Sequence, residues 1–309
     1  AWKGGGWGGV MCSRGSKRDP ERWVMGIRGG IEMAGWGIIG KELGRPVYEL
    51  LGGQVHERMR TYSYLDPRDG DVGDVYVDAD LAASRALDYV EMGFTAVKFD
   101  PVSPFSAFDP RQLSLEALDR AENFVASLRA AVGNRCDLLF GTHGQMTTSS
   151  AIRLARRLEP YDPLWFEEPV PPENVAEMAR VARQTTIPIA TGERIFTKWG
   201  FRKILEKRAA VILQPDPCYA GGITELKIIA GMAEAYYTPL APHNPQGPCS
   251  LAAGLQIAAP LPNLPIHLFL NSLHILSQYR LFPPHRPPHC PPSHSHLPSI
   301  TMRLHTYPP

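Results

Sequence analysis

Two kinds of segment alternate along most of the chain. Short apolar runs without polar alternation are typical of strands whose two faces are both buried. Longer stretches with apolar residues at helical spacing separate them. The predicted strands are 58–65, 95–100, 136–142, 164–168, 187–192, 211–215 and 238–243. The predicted helices between and after them are 79–92, 115–132, 148–158, 173–184, 198–207, 223–236 and 249–258.

This α/β order predicts a closed parallel (β/α) TIM-type barrel more readily than an open doubly wound sheet. No Gly-x-Gly-x-x-Gly motif follows the first strand, which disfavours a dinucleotide-binding domain. The candidate for an eighth strand is Ile266 to Leu270, and the pattern alone leaves that strand open. A further helix is predicted at 24–43, with Gly44 as its C-cap.

Composition divides the chain into four predicted segments. Residues 1–20 form a Gly-rich irregular head, 21–56 a helical segment, and 57–262 the barrel catalytic domain. Residues 263–309 are a Pro/His-rich tail. Because proline removes backbone donors and fixes φ, we expect this tail to be irregular or disordered.

Charge, hydropathy and cysteine content indicate which partners and which location to expect. The net charge of +1 gives no reason to expect nucleic acid or a membrane surface as a partner. No apolar run approaches the roughly 20 residues that span a bilayer. The start of the chain has no signal-peptide pattern, and its five cysteines are scattered and odd in number, so we expect a cytoplasmic location.

Chemically active side chains follow the predicted strands at their carboxyl ends, which in a barrel meet at one mouth. Glu167 and Glu193 end neighbouring strands, Asp216 and His243 end the next two, and Lys98 ends an earlier one. Carboxylate oxygens suit Mg²⁺, which usually keeps several water ligands. The order therefore predicts a metal pair followed by an Asp–His pair.

These residues suit the removal of a proton next to a carboxylate. His243 is the predicted base, and Asp216 is placed to fix its tautomer and raise its basicity. The metal offsets the charge of the enediolate that forms. His143, on an opposing strand end, is a candidate acid for a leaving hydroxyl group.

Each prediction has a structural alternative that the sequence leaves open. Glu167 and Glu193 are also compatible with ion pairs to arginines such as Arg194. Lys98 is compatible with a strand-end lysine that reaches solvent, and His143 with a polar turn.

Four motifs resemble the mandelate racemase/muconate lactonizing enzyme branch of the enolase superfamily. They are Glu-Glu-Pro at 167–169, Gly-Glu-Arg at 192–194, Gln-Pro-Asp at 214–216 and Pro-His-Asn-Pro at 242–245. Their order and intervals fit that family over residues 22 to 262. The segments 192–201 and 242–248 look most like acid-sugar, galactonate-type dehydratases. The segments 139–145 and 96–101 are also similar to anhydro-sugar-acid cycloisomerases.

The resemblance assigns roles to matching positions. It implies Glu167 and Glu193 as the second and third metal ligands, the Asp216–His243 pair as the base, His143 as the acid, and Lys98 as the first lysine of a Lys-x-Lys pair. It also implies that 21–56 is a remnant of an N-terminal α+β capping domain. Three positions depart from the family's pattern: Gly141 stands where the first metal ligand is expected, Asp100 where the second lysine is expected, and Gly37, after Trp36, where an aspartate is usual.

The predicted function is that of a Mg²⁺-dependent lyase, an acid-sugar dehydratase acting on an aldonate or aldarate. A cycloisomerase that forms the same enediolate is the alternative enzyme. A catalytically silent, truncated barrel is the alternative from another class, suggested by Gly141 and both chain ends. Barrels of this family often associate, so a homo-oligomer stays open.

Overall fold

The structure is a computed structural model that describes residues 22–102, 112–245, 247–268 and 302–303. The predicted irregular head and most of the predicted tail lie outside these residues. The described helices are α1 (Arg22–Leu43), α2 (Val47–Leu50), α3 (Ala79–Glu91), α4 (Leu115–Val132), α5 (Thr148–Leu158), α6 (Val175–Ala182), α7 (Thr197–Lys207), α8 (Pro217–Ala220), α9 (Ile223–Glu234) and α10 (Pro248–Ala258). The described strands are β1 (Arg58–Met59), β2 (Thr61–Tyr64), β3 (Ala96–Phe99), β4 (Asp137–Gly141), β5 (Trp165–Glu167), β6 (Ile189–Thr191), β7 (Ile212–Leu213), β8 (His267–Leu268) and β9 (Met302–Arg303). Short 3₁₀ turns at Gly133–Arg135 and Glu159–Tyr161 lead into β4 and β5.

Seven of these strands form one parallel sheet in the order β7-β6-β5-β4-β3-β2-β8. The neighbours β2 to β7 are consecutive in the chain and joined by helices, as the alternating pattern predicts. The segment 238–241 extends the sheet beyond β7 through a parallel bridge between Leu213 and Leu240. The Leu240 N–H then donates to the Asn263 carbonyl at 2.9 Å, which brings this segment beside the chain entering β8. The fold is therefore a TIM-type barrel.

The eighth strand is short and lies within the region that the sequence left open. Thr61 pairs with His267, and Tyr62 with Leu268, in parallel register. The barrel sheet thus continues past the predicted domain boundary at residue 262. The strand β9, in the segment predicted to be irregular, pairs antiparallel with β1.

The barrel interior is filled by one apolar layer to which each of the eight segments contributes one side chain. These are Tyr62, Ala96, Leu139, Trp165, Ala190, Ile212, Ala241 and Ile266. Tyr62 meets the Trp165 ring edge-on, with the ring centroids 5.3 Å apart. The alternate strand residues, such as Val97, Phe140 and Phe166, belong to the larger core between the sheet and the helices.

The helix α1 begins two residues before its predicted start and ends at Leu43, where Gly44 adopts φ +61° as expected of a C-cap. Its apolar stripe does not face the barrel, because Ile27, Ile31 and Ile38 are all exposed. The helix is attached through its other side. Glu32 accepts hydrogen bonds from the backbone N–H groups that begin α9, at 2.7 and 2.9 Å. Such contacts satisfy donors that a helix start leaves without partners.

None of the helices in the described parts of the chain combines the length and the apolar character that a membrane span requires.

Candidate active site

The second inward-facing layer of the barrel is polar, in contrast to the first. Strand periodicity places it two residues beyond the apolar layer, at the carboxyl ends of the strands. Its members include Tyr64, Lys98, Gly141, Glu167, Gln214 and His243. This layer forms the barrel mouth.

A buried ion pair joins Lys98 and Glu167 at this mouth. The Lys98 ammonium contacts Oε1 of Glu167, and the exposed fractions of the two side chains are 2% and 3%. The other carboxylate oxygen accepts hydrogen bonds from Nε2 of Gln214 at 2.6 Å and from Nε1 of Trp165 at 3.2 Å. The Lys98 ammonium also lies 5.3 Å from the centroid of the Tyr64 ring. Lys98 therefore does not reach solvent.

Gly141 makes room for this ion pair. A Cβ added at Gly141 would lie 3.1 Å from Cε of Lys98 and 3.4 Å from Cβ of Glu167. The first distance is tighter than ordinary van der Waals contact, so a side chain here would press on the lysine stem. The Lys98 side chain can therefore take this position because residue 141 has no side chain.

His243 bridges two carboxylates. Its Nδ1 lies 2.9 Å from Oδ2 of Asp216, and its Nε2 lies 3.0 Å from Oε2 of Glu193. The second oxygen of the fully buried Asp216 accepts the backbone N–H of Cys218 at 2.7 Å, which fixes the carboxylate. Burial by itself lowers the pKa of His243, but the contacts with Asp216 and Glu193 outweigh it and raise the pKa to about 9. Burial raises the pKa of Glu193, yet the hydrogen bond and charge of His243 bring the net pKa below its usual range.

Glu168 faces Arg194. Nε of Arg194 donates to Oε2 of Glu168 at 2.8 Å, and a second guanidinium nitrogen contacts the same oxygen. Burial raises the pKa of Glu168 to about 7, Glu193 adds to the shift, and Arg194 opposes it. Glu193 itself lies 3.9 Å from Arg194.

His143 and Asp100 form a second histidine–carboxylate pair. Nδ1 of His143 lies 3.6 Å from Oδ2 of Asp100, an ion-pair distance just beyond a hydrogen bond. The contact with Asp100 is the largest influence on His143 and raises the pKa of this imidazole, whereas burial lowers it. Burial also raises the pKa of Asp100, and His143 opposes that change.

All six residues predicted from the sequence therefore lie at one mouth. Sequence reasoning missed Tyr64 and Gln214. Strand periodicity could have identified both residues. Tyr64 stands two positions beyond the inward-facing Tyr62, and Gln214 stands two positions beyond the inward-facing Ile212. Trp165 of the apolar layer also donates to Glu167.

The carboxylates of Glu167 and Glu193 have the chemistry that suits Mg²⁺. The described residues contain no group of three or more His, Cys, Asp or Glu side chains arranged to hold a metal ion. Two carboxylates still fit Mg²⁺, because the ion usually retains several waters and takes further oxygens from substrate. Gly141 supplies no side-chain oxygen, so the side chains that would hold the ion are those of Glu167 and Glu193.

Comparisons with known proteins identify relatives of this chain. The chain is 46% identical over 234 residues to a D-galactonate dehydratase of Ralstonia nicotianae, which covers 76% of this chain and 58% of that protein. It is 43% identical, with the same coverage, to a D-galactonate dehydratase of Ralstonia pickettii. The chain thus spans somewhat more than half the length of these relatives.

A solved structure has a fold similar to that of this chain. A mandelate racemase/muconate lactonizing enzyme from Sulfitobacter superposes with a TM-score of 0.84 at 43% identity, covering 87% of this chain and 68% of that one. The family model described as Enolase C-terminal domain-like matches residues 81–290, which include all the predicted site residues. This chain belongs to the Enolase C-terminal domain-like family.

Proposed function

We propose that this barrel is a Mg²⁺-dependent dehydratase of sugar acids. The observation that carries the proposal is the position of His243 between Asp216 and Glu193, with one ring nitrogen at each carboxylate. An imidazole held in this way has a fixed orientation and a nitrogen at the mouth that can exchange a proton with substrate.

The first step is the removal of the proton on C2 of the sugar acid. Asp216 accepts a hydrogen bond from Nδ1–H of His243, so Nε2 of the neutral ring, when it does not donate to Glu193, is the nitrogen that takes the C2 proton. The electron pair of the C–H bond moves into a C1–C2 double bond and gives an enediolate. Because Glu193 lies at the same nitrogen, it stabilises the imidazolium that results.

The second step is loss of the hydroxyl group at C3. The enediolate electrons return to form a C2–C3 double bond, the C3–O bond breaks, and His143 donates a proton so that water leaves. The resulting enol takes a proton at C3, loses the proton of its C2 hydroxyl group, and becomes a 2-keto-3-deoxy acid. A positioned acid of this kind contributes a rate factor of about 10²–10⁴.

Glu167 and Glu193 would hold the magnesium ion, which supplies positive charge against the enediolate oxygens. Lys98 supplies a second positive charge in the same layer, beside Glu167. A buried ammonium group stabilises negative charge on substrate more strongly than an exposed one, because the local dielectric is lower.

The relatives support the proposed substrate class. Proteins named D-galactonate dehydratase share 41–46% identity with this chain, which favours an aldonate over other sugar acids. A cycloisomerase that forms the same enediolate is the second candidate, favoured by the resemblance of residues 139–145. A homo-oligomer and a cytoplasmic location stay predictions.

The test is an NMR screen of aldonates and aldarates in D₂O with Mg²⁺. A dehydratase converts a substrate to a 2-keto-3-deoxy acid, and a cycloisomerase gives a ring-opened or ring-closed isomer without loss of water. His243→Asn should lower product formation by about 10²-fold or more. His56→Asn is the matched control, because His56 contacts the Leu261 carbonyl away from the mouth.

Two results would count against the proposal. Absence of deuterium exchange and of product across a broad panel would favour the silent barrel. An active chain whose His243→Asn variant retains full activity would show that another residue is the base.

A further inference from the structure

We propose that Asp100 is the positioning residue of the acid that protonates the leaving hydroxyl group. Its carboxylate holds Nδ1 of His143, so that Nε2 of that imidazolium carries the proton given to the C3 oxygen. This inference rests on the proposed dehydratase reaction and assigns a task to a residue that stands where the family's second lysine is expected.

The Asp100 carboxylate is oriented toward His143 and also has Gln145 as a neighbour. Its side chain is 8% exposed, and its Oδ1 accepts the backbone N–H of Val102 at 3.0 Å. This hydrogen bond fixes the plane of the carboxylate and leaves Oδ2 facing Nδ1 of His143 at 3.6 Å. Catalytic hydrogen bonds are often long before substrate binds and shorten in the reacting complex. A buried carboxylate is expensive unless it is paired, which makes the histidine its natural partner.

The backbone of His143 is also held in place. His143 has φ +52°, a conformation that costs a non-glycine residue on the order of 1 kcal/mol or more. Its carbonyl oxygen accepts a hydrogen bond from Nη2 of Arg194 at 2.8 Å, and the next N–H, of Gly144, donates to the Glu168 carbonyl at 2.7 Å. Both hydrogen bonds hold the peptide group between His143 and Gly144, and strained backbone that is held in this way is typical of functional positions.

The charges around His143 favour its protonated form. Asp100 and the more distant Glu193 raise the pKa of His143, and the Lys98 ammonium and burial oppose them. The net pKa is raised, as an acid that must carry a proton near neutral pH requires.

The barrel places this pair opposite the base pair. Asp100 and His143 follow β3 and β4, whereas Asp216 follows β7 and His243 follows the segment 238–241. Four positions separate the two sets around a barrel of eight segments. A substrate bound between them has a base near one face and an acid near the other, which suits removal of a proton and a hydroxyl group from opposite faces.

The test separates the two half-reactions in D₂O with Mg²⁺ and a sugar acid that the wild-type chain converts. Deuterium exchange at C2 reports the base, and keto-acid formation reports the leaving-group acid. We expect Asp100→Asn and His143→Asn to lower keto-acid formation at least about tenfold while exchange stays within about threefold. Asp216→Asn should lower both. Asp137→Asn, at the opposite end of β4 and paired with Arg60, is the matched control and should change neither.

Equal loss of exchange and elimination in Asp100→Asn, or loss of neither, would overturn the inference. A second readout needs no activity: ¹⁵N NMR of the imidazole, assigned by comparison with His143→Asn. Asp100→Asn should reduce the fraction of neutral His143 that carries its proton on Nδ1. If wild type turns over no sugar acid, the proposed function fails, and an unchanged tautomer would then overturn the role of Asp100 separately.

Discussion

Gly192 lies where the backbones of two strand ends come into contact, and its replacement by alanine tests the packing of the mouth. Its φ is +150°, and an added Cβ would lie 2.6 to 2.8 Å from the backbone C, N and O atoms of Gln214. Neither backbone moves easily, because the Gln214 N–H already donates to the Thr191 carbonyl at 2.9 Å. Overpacking costs about 1–3 kcal/mol, and an unfavourable backbone conformation adds about 1–3 kcal/mol.

Gly192→Ala should therefore lower the free energy of unfolding by about 2–6 kcal/mol, a large part of the roughly 5–15 kcal/mol of a typical domain. The site should be affected as well. Gln214 donates from its side chain to Glu167 at 2.6 Å, and Glu193 is the residue next to Gly192. A displacement of either backbone moves a proposed metal ligand, so we expect weaker metal binding in the folded variant.

Urea unfolding followed by circular dichroism measures this effect, with midpoints compared at equal slope. Gly231→Ala is the matched control, since Gly231 lies inside α9 with nothing within 4 Å of an added Cβ. The free energy of unfolding of that variant should rise by up to about 1 kcal/mol, because alanine has a higher helix propensity than glycine. A Gly192→Ala variant within about 0.5 kcal/mol of wild type would refute the packing argument.

Three other substitutions test single contacts. Lys98→Met should raise the affinity for Mn²⁺, measured by electron paramagnetic resonance, by about fivefold or more. The substitution removes a cation whose repulsion of the metal ion is about 1–4 kcal/mol. Unchanged affinity would contradict this reasoning. Arg194→Ala should destabilise the fold by about 3–5 kcal/mol in urea unfolding by leaving buried Glu168 unpaired, and Arg194→Lys should cost less. Glu32→Ala should cost about 1–2 kcal/mol in the same assay, since the start of α9 loses its acceptor, and no change would show that water replaces it.

Most of the barrel could be predicted from the sequence. Its strands are buried on both faces and its helices are amphipathic, so continuous apolar runs are clearly distinct from apolar residues at helical spacing. The exception is the predicted strand 238–243, which forms a single bridge at Leu240. Pro239 and Pro242 lack the N–H groups that a strand ladder requires, and this limits the pairing. The eighth strand was left open for a related reason, since two residues paired with β2 carry little pattern of their own.

The candidate site was predictable as a set of strand ends, but its pairings were not. The sequence shows that Lys98 and Glu167 end strands, and only the barrel's curvature shows that they touch. Asp100 had no clear role in the sequence because its partner, His143, ends a different strand. Residue spacing fixes which end of the sheet a side chain occupies, whereas contacts across the mouth depend on side-chain length and direction.

The pairings also explain how the mouth tolerates so many buried acids. Each carboxylate has a basic neighbour: Glu167 has Lys98, Glu168 has Arg194, Asp100 has His143, and Glu193 and Asp216 share His243. Buried charges persist when they are paired in this way. An acid at position 141 would add a charge without a basic partner and would crowd the lysine, so glycine there and the Lys98–Glu167 pair are consistent with each other. A divalent ion at this site gains two carboxylates but must compete with an ammonium group already in contact with one of them. We therefore expect weak magnesium binding by the protein alone and tighter binding once a sugar acid supplies its own carboxylate oxygens.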